Sequence, residues 1–160
     1  MDAISTRGTS AIVRSVIMTL AFAVAFGQTD GPAKPSRDRL LDRALKGDAE
    51  AQFELGKNYE TGRIGLPKDL IQAQHWYCEA ASQGDPYAAA SLGILFNFGK
   101  GVKRDYFQAY VWYEMALARL SGGNRDSVVE MRDNLAGELT SEQIAEARRL
   151  AKEPSKSKCE

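Results

Sequence analysis

The chain of 160 residues contains only one histidine and two cysteines, and its 21 basic side chains are balanced by 21 acidic ones. Zinc sites usually take three or four protein ligands, so His75 with Cys78 falls short of one. Two cysteines also exclude a disulfide-dense scaffold. Because the charge is balanced, no overall basic field exists to concentrate nucleic acid. Composition therefore identifies no substrate or partner.

The N-terminal region lacks an apolar stretch long enough for a comfortable membrane span. Residues 15–26, SVIMTLAFAVAF, contain no charge, but a membrane helix needs about 17 to 25 apolar residues. Two arginines precede this stretch, and the small residues Ala25 and Gly27 end it. This order predicts a secretory signal peptide over residues 1–27, with an uncleaved anchor as the alternative. Either would export the folded part, to the periplasm or the medium, with no stable membrane span after cleavage.

The rest of the chain divides into three parts. Residues 28–36, QTDGPAKPS, are rich in Pro, Gly and Ser and predict a flexible linker. Residues 37–152 carry helical periodicity and predict one folded domain. Residues 153–160 contain a helix-breaking proline and predict a disordered tail. We expect no structural role for Cys159 on that tail, although a disulfide with Cys78 stays open.

The most informative feature is an internal duplication. Residues 47–83 align with residues 84–119, and the second copy is one residue shorter in its loop. A period of 20 to 50 residues is typical of stacked structural repeats. The pairs of residues that define the repeat are Leu55 and Leu92, Gly56 and Gly93, Gly62 and Gly99, Ala73 and Ala109, Trp76 and Trp112, and Ala80 and Ala116.

The duplicated positions predict two helices in each copy. In the first copy Ala51, Leu55 and Tyr59 follow one another at intervals of four residues and form an apolar stripe. A second, facing stripe runs from Ala73 to Ala80. Each copy is therefore expected to be a helix-turn-helix unit.

One glycine falls inside the first helix of each copy. Gly56 and Gly93 occupy positions where glycine costs about 1 kcal/mol relative to alanine. We expect a neighbouring helix to approach there too closely for a Cβ atom. The small residues Ala73 and Ala80 are the expected partners of that contact, with Trp76 filling the gap beside them.

The loops within the two copies carry end signals for helices. Gly62 and Gly99 follow the first helix and predict left-handed C-terminal caps. Asp69 and Asp105 precede the second helix and predict N-terminal caps. The segment GKGVKR, residues 99–104, lacks the spacing and the terminal Lys-Ser/Thr of a phosphate-binding loop, so we interpret it as a turn.

Additional helices are expected on both sides of the duplication. Residues 39–46 predict an N-terminal cap helix, and residues 125–152 predict a C-terminal capping hairpin. Thr140 and Gln143 have the spacing of a capping box, which predicts where the last helix begins. The fold class is thus all-α: an α/α superhelical solenoid of two helix-turn-helix repeats with a cap at each end.

These residues carry a family resemblance. The stretch AEAQFELGKNYETGRIGLPKDLIQAQHWYCEAASQGD resembles the Sel1-like (Sel-one-like) repeat, a relative of the tetratricopeptide repeat. The first copy departs by one residue inserted between Gly62 and Gly65, and the second copy has Phe96 for tyrosine and Leu117 for alanine. The resemblance covers about residues 37–152. It implies an interaction scaffold that binds another protein or peptide, frequently in bacterial envelopes.

His75 and Cys78 look reactive because they lie at i and i+3 of a predicted helix. Val111 and Glu114 occupy the same positions in the second copy, so the repeat itself requires neither residue. No oxyanion donor or orienting acid can be named for a Cys-His nucleophile. We therefore expect no catalytic, cofactor-binding or metal site. The resemblance leaves one alternative, a β-lactamase-like hydrolase of the envelope, and the export signal leaves another, a cell-wall or polysaccharide-associated factor.

The two copies differ in polarity. Lys57 and Thr61 of the first copy correspond to Ile94 and Phe98 of the second. The apolar residues are either covered by the C-terminal hairpin or exposed as a groove for a partner segment. The candidate groove residues are Asn58, Tyr59, Ile94, Asn97 and Phe98.

Overall fold

A computed structural model describes residues 36–153 and residue 159, and these residues contain seven α-helices and no strand. The all-α prediction is confirmed. The predicted signal peptide, linker residues 28–35, and tail residues 154–158 and 160 lie outside the described residues. The helices are α1 (Ser36–Leu45), α2 (Ala49–Thr61), α3 (Leu70–Ser82), α4 (Pro86–Phe98), α5 (Tyr106–Leu117), α6 (Gly122–Ala136) and α7 (Ser141–Leu150).

Helices α2 to α5 form two stacked pairs. Helix α2 packs against α3, α4 packs against α5, and the two pairs meet where α3 packs against α4. Helix α1 covers α2 at one end, while α6 and α7 both pack against α5 at the other. The predicted solenoid of two repeats with terminal caps is therefore confirmed. Two boundaries differ, since α1 begins at Ser36, in the predicted linker, and α6 begins at Gly122 rather than residue 125.

The predicted helix caps are present. The Asp69 carboxylate accepts hydrogen bonds from the backbone N–H groups of the first turn of α3, and the Asp105 carboxylate accepts one in α5. Gly62 and Gly99 adopt left-handed conformations, with φ of 73° and 65°, directly after α2 and α4. The Thr140 capping box at the start of α7 is also formed. Local sequence therefore determines where these helices begin and end.

The close approach predicted at Gly56 and Gly93 is confirmed, but the predicted partners were wrong. A Cβ atom on Gly56 would lie 2.6 Å from Cδ1 of Tyr77, and one on Gly93 would overlap the ring of Tyr113. A flat aromatic ring thus occupies the volume that a Cβ atom would take. The contact therefore pairs a glycine with a tyrosine of the facing helix in both repeats.

The alanines and tryptophans expected at the glycine contact lie elsewhere in the core. Ala73 and Ala80 are fully buried within the main core, whereas Trp76 belongs to a smaller cluster with Ala44 of α1. Trp76 therefore closes the gap toward the N-terminal cap. The remaining repeat-defining residues with side chains are also buried, namely Leu55, Leu92, Ala109, Trp112 and Ala116.

The C-terminal segment returns to the first repeat. Cys159 forms a disulfide with Cys78 of α3, and their Cα atoms are 5.9 Å apart. The expectation that Cys159 has no structural role was therefore wrong. The pairing of Cys159 with Cys78 could not be predicted, because helical periodicity does not indicate where a residue beyond the last helix lies.

Candidate partner-binding surface

One face of α4 leaves large apolar side chains uncovered. Tyr87, Ile94 and Phe98 lie at i, i+7 and i+11, so they follow one another along the same side of the helix. Phe98 is 62% exposed and Tyr87 46% exposed, and Ile94 is half-buried. Isolated surface hydrophobics are common, but a row of three along one helix forms an apolar surface.

This apolar surface continues onto α2. The rings of Tyr87 and Phe53 have centroids 6.0 Å apart, which links the first helices of the two repeats. The ammonium group of Lys57 lies 5.3 Å from the centroid of the Phe53 ring, and that of Lys100 lies 5.6 Å from the Phe98 ring. Cations thus lie over two of the aromatic rings, an arrangement that attracts charge and ring to each other. We call the set Phe53, Tyr87, Ile94 and Phe98 the first-helix face.

Two of the five predicted groove residues, Ile94 and Phe98, lie together on the first-helix face. Tyr59 packs against both core clusters. The Asn97 amide donates to the Tyr113 hydroxyl over 3.5 Å. Asn58 donates to the Glu54 carbonyl over 2.7 Å and lines a cavity of about 230 Å³ that contains none of the other four candidates. The five residues thus lie in different surroundings, and partner binding at them stays a prediction.

The buried tyrosines act as packing and hydrogen-bonding groups. The Tyr77 hydroxyl donates to the Glu60 carboxylate over 2.7 Å, and the Tyr113 hydroxyl donates to the Met131 thioether over 3.7 Å. Burial, reinforced by the Glu60 carboxylate, raises the pKa of Tyr77, and burial raises the pKa of Tyr113. Both phenols are therefore protonated at neutral pH. Their rings pack between the two helices of each repeat, against Gly56 and Gly93.

The apolar residues of α5 are covered, unlike those of α4. Tyr110 and Val111 are each only 1% exposed. Arg148 of α7 donates to the Tyr110 hydroxyl over 3.3 Å and also approaches Glu114. Arg132 of α6 forms an ion pair with the same Glu114 carboxylate at 3.3 Å. The apolar residues of the second repeat thus fall into two groups. Those of α5 are covered, where the C-terminal helices pack, whereas those at the end of α4 are exposed.

The residues that suggested a reactive pair have separate roles. His75 is exposed, and its ring makes an edge contact with Trp76 at 5.1 Å between centroids. Cys78 is bonded to Cys159 and has no free thiol while that bond is intact. Within residues 36–153 and 159, no group of three or more His, Cys, Asp or Glu side chains could hold a metal ion. The described residues also contain no helix suited by length and apolarity to cross a membrane.

A second cavity, of about 560 Å³, was not predicted. It lies between the turn after α3, the end of α5 and the segment after α7. Arg119 spans part of it by donating to the Gly84 carbonyl over 2.6 Å. The cavity depends on the return of the C-terminal segment, so no local pattern in the sequence could have indicated it.

Comparisons with known proteins agree with the fold. The family model of the Sel1 repeat matches residues 49–85 and 86–119. The chitin synthase regulator SKT5 of Saccharomyces cerevisiae is 38% identical over 52% of this chain and 11% of its own length. The Arabidopsis thaliana ERAD-associated E3 ubiquitin-protein ligase component HRD3A is 36% identical over 37% of this chain and 9% of its own length. The chain thus spans about a tenth of the length of these curated relatives.

A solved structure supports the same assignment. The protective antigen c5321 of uropathogenic Escherichia coli strains, which displays an SLR fold, matches 87% of this chain and 29% of its own. The TM-score is 0.64 and the sequence identity is 27%. Sel1 repeats are generally protein–protein interaction modules without catalytic activity. The chain therefore contains two adjacent Sel1 repeats, at residues 49–85 and 86–119.

Proposed function

We propose that this protein is an exported adaptor that binds a partner protein through the first-helix face and performs no chemistry of its own. The observation that carries the proposal is the contrast between α5 and α4. Tyr110 and Val111 are each 1% exposed, and Arg148 of α7 lies against Tyr110, whereas Phe98 remains 62% exposed beside Ile94. A partner side chain packed against Phe98 would bury the apolar area that the fold leaves in water.

The geometry favours a few strong contacts. Aromatic side chains are frequent among the residues that dominate binding energy in protein interfaces. Phe53 and Tyr87 form a pair of rings that joins the two repeats, and Phe98 lies about 16 Å further along α4, at 1.5 Å per residue. A partner helix or extended segment could contact both ends of this row. The relatives named as a regulator and as a ligase component also act with other proteins, which supports the adaptor role.

Export is supported by the cysteines. The sequence contains two cysteines, and they form a disulfide with each other. Disulfides persist mainly in oxidising compartments and are rare in the cytosol. Together with the signal peptide expected over residues 1–27, this favours a periplasmic or secreted protein.

Site-specific photocrosslinking tests the adaptor proposal. A photoreactive amino acid at Phe98 should give discrete adducts with one partner protein in living cells. The same amino acid at Glu130, exposed on α6, is the matched control and should give few adducts. The adduct at position 98 should also disappear when Ile94→Asp is added. Adducts of equal intensity at both positions, or adducts only with glycan, would contradict the proposal, and glycan adducts would favour a polysaccharide-associated role.

Thiol trapping tests export. Cells are quenched with a maleimide reagent, and the fraction of chain with free cysteines is measured by mobility shift. The full chain should contain the disulfide, whereas a chain lacking residues 2–27 should be retained in the cytosol and be reduced. Free thiols in the full chain would count against an oxidising location.

A further inference from the structure

Both loops within the repeats lie at the same end of the helix pairs. We define the loop edge as residues 62–71 and 98–105, which comprise the two loops and the adjoining helix ends. A Cβ atom on Gly101 would lie 2.5 Å from the Cβ atom of Leu70, so the second loop rests directly on the start of α3. The two loops therefore form one continuous surface.

The loop edge is basic although the chain is neutral. It contains five basic residues and two acids, and both acids, Asp69 and Asp105, are engaged as helix N-caps. All five basic side chains are exposed, and none makes an ion pair with another described residue. The five are Arg63, Lys68, Lys100, Lys103 and Arg104.

Three basic residues at the opposite end of the helix pairs have partners. Lys46 forms an ion pair with Asp42 at 2.8 Å, and Arg43 forms one with Asp48 at 2.7 Å. Arg119 donates to the Gly84 carbonyl. Five cations without an ion-pair partner thus lie together at the loop edge.

Exposed apolar side chains accompany these cations. Of the five large hydrophobic residues that are exposed in the described part of the chain, three belong to the loop edge. They are Ile64, which is 40% exposed, Ile71, which is 67% exposed, and Phe98. Since Phe98 also belongs to the first-helix face, the apolar surface runs from the loops onto α4.

The backbone of the loop edge is fixed by hydrogen bonds. The Asp69 N–H donates to the Tyr59 carbonyl over 2.8 Å, and the Asp105 N–H donates to the Phe96 carbonyl over 3.0 Å. Equivalent bonds thus close both loops against their preceding helices. A surface ordered before binding loses less conformational entropy when a ligand docks.

We propose that the loop edge recognises an acidic segment of the partner protein, in which an apolar side chain that packs on Phe98 is flanked by Asp or Glu. This inference rests on the proposed function and names the chemistry of the partner. The unpaired lysines and arginines attract the carboxylates, and the apolar residues bury the side chain between them. Phe98 and Ile94 continue the apolar surface down the side of α4. A protein segment can follow that surface, whereas a flat lipid surface that touches the loops cannot.

Selection of peptides on the immobilised full chain tests the proposal. A displayed library of random twelve-residue peptides is selected, and the enriched sequences are synthesised for affinity measurement. We expect an aromatic or aliphatic residue with acidic neighbours, and binding that weakens as salt rises. Lys100→Glu with Lys103→Glu should weaken binding by about ten- to a hundredfold. Arg37→Glu with Arg39→Glu, an equal charge change on α1, should leave it unchanged.

Three results would overturn the inference. Enriched peptides without acidic residues that still require Phe98 would overturn it while leaving the adaptor function intact. Failure to enrich any peptide would count against both proposals. Binding to vesicles of equal parts phosphatidylglycerol and phosphatidylcholine, lost in the Lys100→Glu, Lys103→Glu variant without any peptide binding, would assign the loop edge to a membrane surface instead.

Discussion

Ile64 has an unfavourable backbone conformation for its residue type. Its φ is 51°, and it is the one non-glycine residue with positive φ in the described part of the chain. A β-branched side chain in this left-handed region crowds its own backbone, at a cost of about 1 to 2 kcal/mol. Ile64 lies between Gly62 and Gly65, where the first loop contains one residue more than the second. The insertion thus explains the strain.

Replacing Ile64 by a residue that tolerates positive φ should stabilise the protein. We expect Ile64→Asn to raise the free energy of unfolding by about 0.5 to 1 kcal/mol, because asparagine adopts the left-handed region more readily. Ile64→Val keeps the β-branch and should change stability little. Urea denaturation of the three proteins measures the differences. Equal stability of the asparagine and valine variants would show that the backbone at Ile64 is not strained.

For single residues, the sequence predicted which positions are packed closely better than it predicted which residues they contact. Gly56 and Gly93 were recognised as sites of close approach because glycine destabilises a helix interior, yet it occurs at the same helix position in both copies. The partner could not be predicted, since Tyr77 and Ala80 both belong to the facing helix and only the rotation of that helix decides which reaches the glycine. Similarly, the exposure of Phe98 depends on how far the C-terminal helices extend, which the local pattern does not contain.

Among the helices, α1 resembles the second helix of a repeat at its C-terminal end. Ala44, Gly47 and Asp48 recur 37 positions later as the equivalent end of α3 and the start of α4. Arg43, however, is exposed where the repeat has the buried Ala80. Arg43 instead forms an ion pair with Asp48 at 2.7 Å, so this position is polar in α1 where the repeat is apolar. The sequence predicted a cap at this place but not its resemblance to the repeat.

Helix pairing within a repeat depends on the contact between glycine and tyrosine. We expect Gly56→Leu to lower the free energy of unfolding by about 2 to 3 kcal/mol, because the added side chain collides with the Tyr77 ring. Gly123→Leu is the matched control, since a Cβ atom on Gly123 in α6 meets nothing within 4 Å. It should leave the melting temperature unchanged or raise it slightly.

A double variant tests whether the Tyr77 ring is the group that the added side chain meets. If Tyr77 is the obstacle, Gly56→Leu combined with Tyr77→Ala should be less destabilised than the sum of the two single changes. Thermal unfolding followed by circular dichroism measures all four proteins. Strict additivity, or a Gly56→Leu variant as stable as the parent, would contradict the packing argument.

The whole molecule differs from an open solenoid because its C-terminal segment is bonded to its first repeat. Repeat arrays are stabilised by contacts between neighbours, so terminal units open most easily. The bond between Cys78 and Cys159 joins residues 81 positions apart in sequence, and helices α4 to α7 lie within the closed loop. Opening of α7 then leaves the end of the chain still attached to α3. The disulfide should therefore couple the C-terminal cap to the first repeat.

Removing the disulfide should loosen the C-terminal cap before the core. For a loop of this length, chain entropy gives an upper contribution of about 4.5 kcal/mol, and measured losses are typically 2 to 5 kcal/mol. We expect the variant Cys78→Ala, Cys159→Ala to unfold at lower urea and to exchange the backbone amides of α7 faster than those of α3. In the parent both helices should exchange at similar rates.

Reductant provides the control for this comparison, because dithiothreitol should convert the parent's exchange pattern to that of the variant and leave the variant itself unaffected. Partner capture through Phe98 should persist in the variant, since the first-helix face does not include either cysteine. Slow exchange of α7 in the absence of the bond would show that the hydrogen bond from Arg148 to Tyr110 and the burial of Ala147 already hold the cap. In that case the disulfide would secure only the residues that follow α7, and the solenoid would behave as an open array.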